Sequence, residues 1–589
     1  MKPWRAKLLL LAGAAAALGF AIPAAGQRDK GPESLLPPGF GEPPPPATKE
    51  PPPDNPVAPS PAPPAPAVPG EALPVGDSAA EDLEALAEQA LPPPIEIPEA
   101  SRRPTNPVGP LRPGNWGLGL DAFGNANGRF LAGLMGRLNA PLPSRWTSIL
   151  LRRALLSEAA APPRVNEVDW VAERAWLLLR MGEADSARML VQAVDVDRFT
   201  PRMFTVAVQV ALATADPAAL CPLVAPGRKI SDEPIWPLAD AMCASLEGDA
   251  ARASQLIDQA RRGSGGGIDT LLAEKVIGAG TNTRRAVTIE WQGVGELSSW
   301  RFGLASATGL EIPVALMNRA GPAVWAWQAR APMVPLEQRL SAAQRAATLG
   351  VFSNASLVEI HSLIADRTDP SEIEGSIGDR LRKAYVAASI GDRIDAMRNL
   401  WGEGEDRYGR YILTAAAAAR IPPSSDYGDR ADELLGSMMT AGYDRFAARW
   451  GGVAGMDGPD GDRAWSILAV GAPRPVVDLG ASRVEAFTDR ADSHRGRMLV
   501  AALAGLGRFP DPAAYGVDPA PRSRWANFIA AAARAGQPGT VALLAGVGMQ
   551  TRSWRGVPPE HLFHIVRALR QVGLEYEARM IAAEAMTRL

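Results

Sequence analysis

Cys221 and Cys243 are the two cysteines of the chain. An isolated cysteine pair in an exported protein normally forms a disulfide. Closing a loop of about 20 residues in this way stabilises by roughly 3 kcal/mol in the chain-entropy account. No histidine neighbours either cysteine in sequence, so the pair does not suggest zinc. The four histidines are His361, His494, His561 and His564. His561 and His564 follow Glu560 at i,i+3 spacing, whereas zincin-type proteases need i,i+4 histidines around a glutamate. With no third ligand evident, both read as surface or helix-start residues. Residues 451–462 (GGVAGMDGPDGD) set Asp457, Asp460 and Asp462 among glycines. The alternating acidic order and distal glutamate of an EF-hand are missing. We read a solvated loop, with Asp462 capping a helix that begins near Arg463. No phosphate loop, dinucleotide fingerprint or nucleophile elbow occurs. The sequence therefore indicates no catalytic residue, no metal and no cofactor.

The element that must position everything else is a helical hairpin. Its clearest copy is residues 170–194, WVAERAWLLLRMGEADSARMLVQAV. Val171, Ala175, Leu178 and Leu179 recur at three- and four-residue steps, giving one apolar face. Gly182 ends the helix, since glycine tolerates the left-handed conformation a helix end often takes. Acidic Glu183 and Asp185 suit the positive end of the next helix, and Ala187 is small enough for a close crossing. The punctuation returns as Gly248 with Ala253, Gly391 with Ala396, Gly442 with Ala447, and Gly573 with Ala578. Each glycine precedes its alanine by five residues. This resembles the turn inside a tetratricopeptide repeat, where a glycine and then a small alanine sit between helices A and B. The 34-residue period of that family is not kept. The resemblance implies an all-α fold, a right-handed α-solenoid of degenerate hairpins.

The chain has 589 residues, 47% of them hydrophobic, and a formal charge of −3. Neither a basic excess nor a nucleic-acid partner is indicated. Arginine greatly outnumbers lysine, to which the sequence alone attaches no mechanism. Residues 1–26 combine a basic start (Lys2, Arg5, Lys7), an apolar run at 8–22 and small residues before Gln27. That is the layout of a signal peptide; an uncleaved anchor is the alternative. The run is short for a bilayer, which needs about 20 residues, and no later segment is long and apolar enough to span. Residues 27–113 are proline-rich and expected to be a disordered arm, with one short acidic helix at 79–91. The arm resembles antifreeze glycopeptides in Pro/Ala composition but lacks regularly spaced threonines.

Two helical blocks are expected after the arm, 114–267 and 268–589, divided by a flexible RGSGGG at 262–267. Residues 281–331 are the hardest to read. VTIEW is either a short strand or helix, and Trp291, Trp300, Trp325 and Trp327 are expected between helices. Stacked hairpins make surfaces for proteins or peptides. The leading expectation is a non-enzymatic scaffold or adaptor, exported or periplasmic, binding partners in the cell envelope. The alternative is a cell-envelope glycan or peptidoglycan hydrolase with an unrecognisable site; superhelical stacks occur in lytic transglycosylases beside a separate catalytic domain. Ice binding is a weaker third reading.

Overall fold

The computed structural model describes residues 98–264, 267–280, 287–402, 404, 406–453 and 461–589. The expected signal segment, the helix at 79–91, and Asp457 and Asp460 lie outside the described residues. Residues 98–589 fall in one compact unit, all-helical and repeat-like, in which successive helices pack as hairpins. Among the described residues the extended pairings are single bridges, Val108 with Ala159 and Leu111 with Ser157. The expected division at 267/268 is not a gap between bodies. The helix Ile268–Gly280 packs on the helix Ile235–Leu246, and Ser245 Oγ donates to the Ile277 carbonyl at 2.8 Å.

Four of the five expected turns share one backbone geometry. Gly182, Gly248, Gly442 and Gly573 have φ of 89°, 88°, 76° and 83°. At Gly182 the glycine N–H donates to the Leu179 carbonyl and the next N–H, from Glu183, to Leu178. The other three glycines repeat this pair of bonds, the Schellman arrangement that satisfies the last carbonyls of a helix. Ala187, Ala253, Ala447 and Ala578 are fully buried. Gly391 departs from the expectation. It lies inside the helix Ile390–Trp401, whose cap is Ser389, accepting from the Asp392 N–H at 3.0 Å. A serine cap satisfies the orphan amides at a helix start, so the chain turns before Gly391, not at it. Ala396 is nevertheless buried.

The array closes on itself around one helix, Arg145–Leu156, which we call the hub. Its Leu151 and Leu155 join a core built mostly from the first half of the chain. Trp146, Leu150 and Ala154, on an adjacent stripe, join a second core formed mainly by the C-terminal half. The helices Pro538–Gly548 and Glu575–Arg588 both pack against the hub. Pro538–Gly548 is apolar on every side and nearly all of its residues are buried, as a helix without a polar face must be.

The proline-rich composition continues to residue 113, but residues 98–113 are part of the folded body. Val108 is buried. The Arg103 N–H donates to Asp195 at 2.9 Å, and Arg102 pairs with Asp197 at 2.8 Å. Thr105 and Asn106 both bond Glu167. Proline prevents regular pairing, yet a segment whose polar groups each find a fixed partner can dock as a strap without forming a helix or strand. In the stretch expected to be strand or helix, residues 287–298 adopt neither, while Trp300, Trp325 and Trp327 are buried between helices.

Candidate functional site

The hub is built from a Ser-Arg start. Ser144 caps it by accepting from the Thr147 N–H. Glu584, from the last helix, supplies a second cap. Its carboxylate accepts from Ser144 Oγ at 2.8 Å, the Arg145 N–H at 2.9 Å and the Trp146 N–H at 3.0 Å. A carboxylate there satisfies orphan donors and opposes the positive end of the helix dipole.

The hub arginines then tie distant segments together. Arg145 is buried; its side chain donates to the carbonyls of Thr440 (3.2 Å) and Phe352 (3.0 Å) and also to that of Ala347. Burial lowers its pKa below the usual arginine range, nearby Tyr408 and Glu584 acting the other way. Arg152 pairs with Glu183 at 2.6 Å and donates to the Gly350 carbonyl at 2.8 Å. Arg153 pairs with Glu577 and lies over the exposed Trp116 ring. The same device recurs beyond the hub. Arg174, fully buried, holds the carbonyls of Leu155, Val108 and Ser157, and burial depresses it to about 9. Arg508 holds those of Ala469 and Ala472 at 2.7 Å each, and burial lowers it to about 10. Many of these carbonyls are the unpaired ones at helix ends. A planar, always-charged fork suits them better than a lysine point charge, which gives the arginine excess a physical use.

Between the hub and two turns lies a cleft of about 360 Å³. Arg145, Trp146, Ile149 and Arg152 form one wall, on one face of the hub. Gly350, Val351 and residues 353–356 form a second, and Thr440, Ala441 and Tyr443 a third. Ser353 Oγ caps the helix Asn354–Ala365 and lies 3.0 Å from Ser356 Oγ. Its guanidiniums and the Asn354 amide are engaged within the chain, which leaves the Ser353 and Ser356 hydroxyls at the rim. The lining does not bring together a nucleophile and a base.

Cys221 and Cys243 are joined, with Cα atoms 5.5 Å apart. Cys221 opens the helix Cys221–Ile230 rather than ending one, with Pro222 in the first turn, where its missing N–H costs nothing. Asp462 is the first residue of the helix Asp462–Gly471, not its cap. It pairs with Arg483 and Arg490, both at 2.8 Å. His564 is buried, not at the surface; it packs against Phe563 and lies edge-on to Trp525. His561 bonds the Gly548 carbonyl through Nδ1 at 2.9 Å. Among the described residues no three His, Cys, Asp or Glu side chains converge as a metal site, and no helix is long and apolar enough to cross a membrane. Sequence reasoning missed Arg145, Arg152 and Glu584; the one available signal was the preference for arginine over lysine.

No family model matches the chain, and neither the curated proteins nor the solved structures include a significant match.

Proposed function

We propose that the protein is a non-enzymatic, exported scaffold that holds a protein or peptide partner in the cell envelope, with the hub cleft as the contact point. The observation that carries this reading is the cleft's chemistry. The exposed Ser353 and half-buried Ser356 hydroxyls at its rim are groups that pair with a peptide backbone, while its arginines are committed to carbonyls and to Glu183. A disulfide suits an oxidising compartment. The glycine–alanine turns favour descent from a tetratricopeptide-like hairpin.

A photo-crosslinking residue at exposed Ala355 tests the proposal in cells. It should trap a discrete envelope partner, and Ser356→Glu, which places a bulky anion in the cleft, should abolish the adduct. The same crosslinker at Met333, 60% exposed and outside the cleft, is the control. Equal adducts at both positions would overturn the cleft as the contact point. Release of soluble fragments from isolated cell wall by the purified protein would instead favour the hydrolase reading.

A further inference from the structure

A second cavity, of about 310 Å³, lies between the helices Arg524–Arg534 and Pro559–Gln571. Ile529, Ala533 and Ala568, all buried, and half-buried Ala530 give it an apolar floor, with His564 and Gln571 beside them in the lining. Small alanines on facing helices leave room that larger side chains would fill. One wall is the loop carrying Pro519 and Pro521. That wall is braced. Asp518 pairs with Arg522 at 2.5 Å, and Asn527 Nδ2 donates to the Pro521 and Ser523 carbonyls at 2.7 and 3.0 Å.

Two guanidiniums, Arg534 and Arg567, flank this floor from opposite helices. Both are exposed, and neither has a carboxylate partner within ion-pair distance among the described residues. Elsewhere cleft-lining arginines are engaged, as Arg145 and Arg152 are. Arg534 sits in the last turn of its helix, where a cation is favoured in any case. That explanation does not extend to Arg567, one turn further from its helix end and steered by packing over the Phe563 ring at 5.8 Å. Unpartnered cations beside a preformed apolar pocket present both halves of an amphipathic site, and the volume is within the range of small-molecule sites, roughly 300–1,000 Å³.

We propose that this cavity binds a free amphipathic carboxylate, its head between Arg534 and Arg567 and its short alkyl chain over Ile529, Ala533 and Ala568. The proposal is independent of the scaffold reading and of the hub cleft.

Calorimetric titration of the full chain with sodium octanoate tests it. Binding should be saturable at one site and should tighten about four-fold for each methylene between butanoate and octanoate. Octanol, lacking the charge, should bind at least ten-fold more weakly. Arg534→Gln/Arg567→Gln should weaken octanoate at least ten-fold. Ala533→Phe should abolish binding by filling the floor; an unchanged far-ultraviolet spectrum and melting temperature would show that either variant remains folded. Octanoate affinity unchanged in the folded double arginine variant would overturn the proposal, as would equal affinity for butanoate and octanoate. So would binding to phosphatidylglycerol vesicles without binding to octanoate, which would reassign the arginines to a lipid surface.

Discussion

Ala187, Ala253, Ala447 and Ala578 have no exposed surface, so a larger side chain has nowhere to go. Ala187→Leu should destabilise by about 1–3 kcal/mol through overpacking. Ser186, next to it, is half-buried and donates to Glu183 at 3.0 Å, so a change there is not neutral. The sound control on this helix is therefore Met189, 54% exposed. Met189→Leu should melt with the wild type, and equal melting of Ala187→Leu would refute the close crossing. Gly182→Val should cost more than either variant. Besides the positive φ, an added Cβ would lie 2.6 Å from the Ala326 Cβ. His361 makes a second residue-scale prediction. Burial, then the Arg410 charge, holds its pKa down to about 4, against 6.5 in a free chain. Below pH 6.5 the unfolded chain takes up a proton that the native site refuses until about pH 4. Its contribution is thus full above pH 6.5 and is lost as pH falls towards 4, by on the order of 3 kcal/mol. Urea midpoints of wild type and His361→Leu at pH 7, 5.5 and 4.5 check this; the variant should lose less on acidification.

Elements with one apolar and one polar face were legible in the sequence. The first helix of the hairpin was expected from the spacing of Val171, Ala175, Leu178 and Leu179, and it runs Glu167–Arg180. Pro538–Gly548 was not, because periodicity is a contrast between faces and this helix has none. The strap at 98–113 was misjudged for a related reason. Composition reports what a segment cannot build alone, not which fixed partners the rest of the chain holds out to it. The roles of Arg145 and Arg152 were invisible because they meet carbonyls that stand some 200 to 300 residues away. Removing residues 1–97 should leave the melting temperature unchanged, whereas removal to residue 113 should lower it. The second truncation takes away the Val108 carbonyl and leaves Arg174, a buried charge, short of one bond. Thermolysin digestion should accordingly stop near Pro98. At the neighbouring hairpin, reducing Cys221–Cys243, which are 22 residues apart, should cost about 3 kcal/mol, read as a lower urea midpoint.

For the whole molecule the decisive contact is Glu584 on the hub. An open solenoid has two free ends; here the final helix occupies the start of the hub. Glu584→Ala should destabilise by about 1–3 kcal/mol, since buried amides of residues 145 and 146 lose their acceptor. Glu584→Gln keeps an acceptor oxygen and should lose less. Equal losses in denaturant melts would mean that packing of the last helix, not the cap, holds the ends together.

The carboxylate that completes the hub is encoded 440 residues after Ser144. At a synthesis rate of about 5–20 residues per second, the hub must wait roughly 20–90 s for it. During that interval its first amides face water or whatever protein escorts the growing chain. A polypeptide ended early by a stop codon never acquires the closing residue. Its two cores would open on each other's unfinished side and be cut first by proteases, so having been translated past Glu584 is itself a condition for persistence.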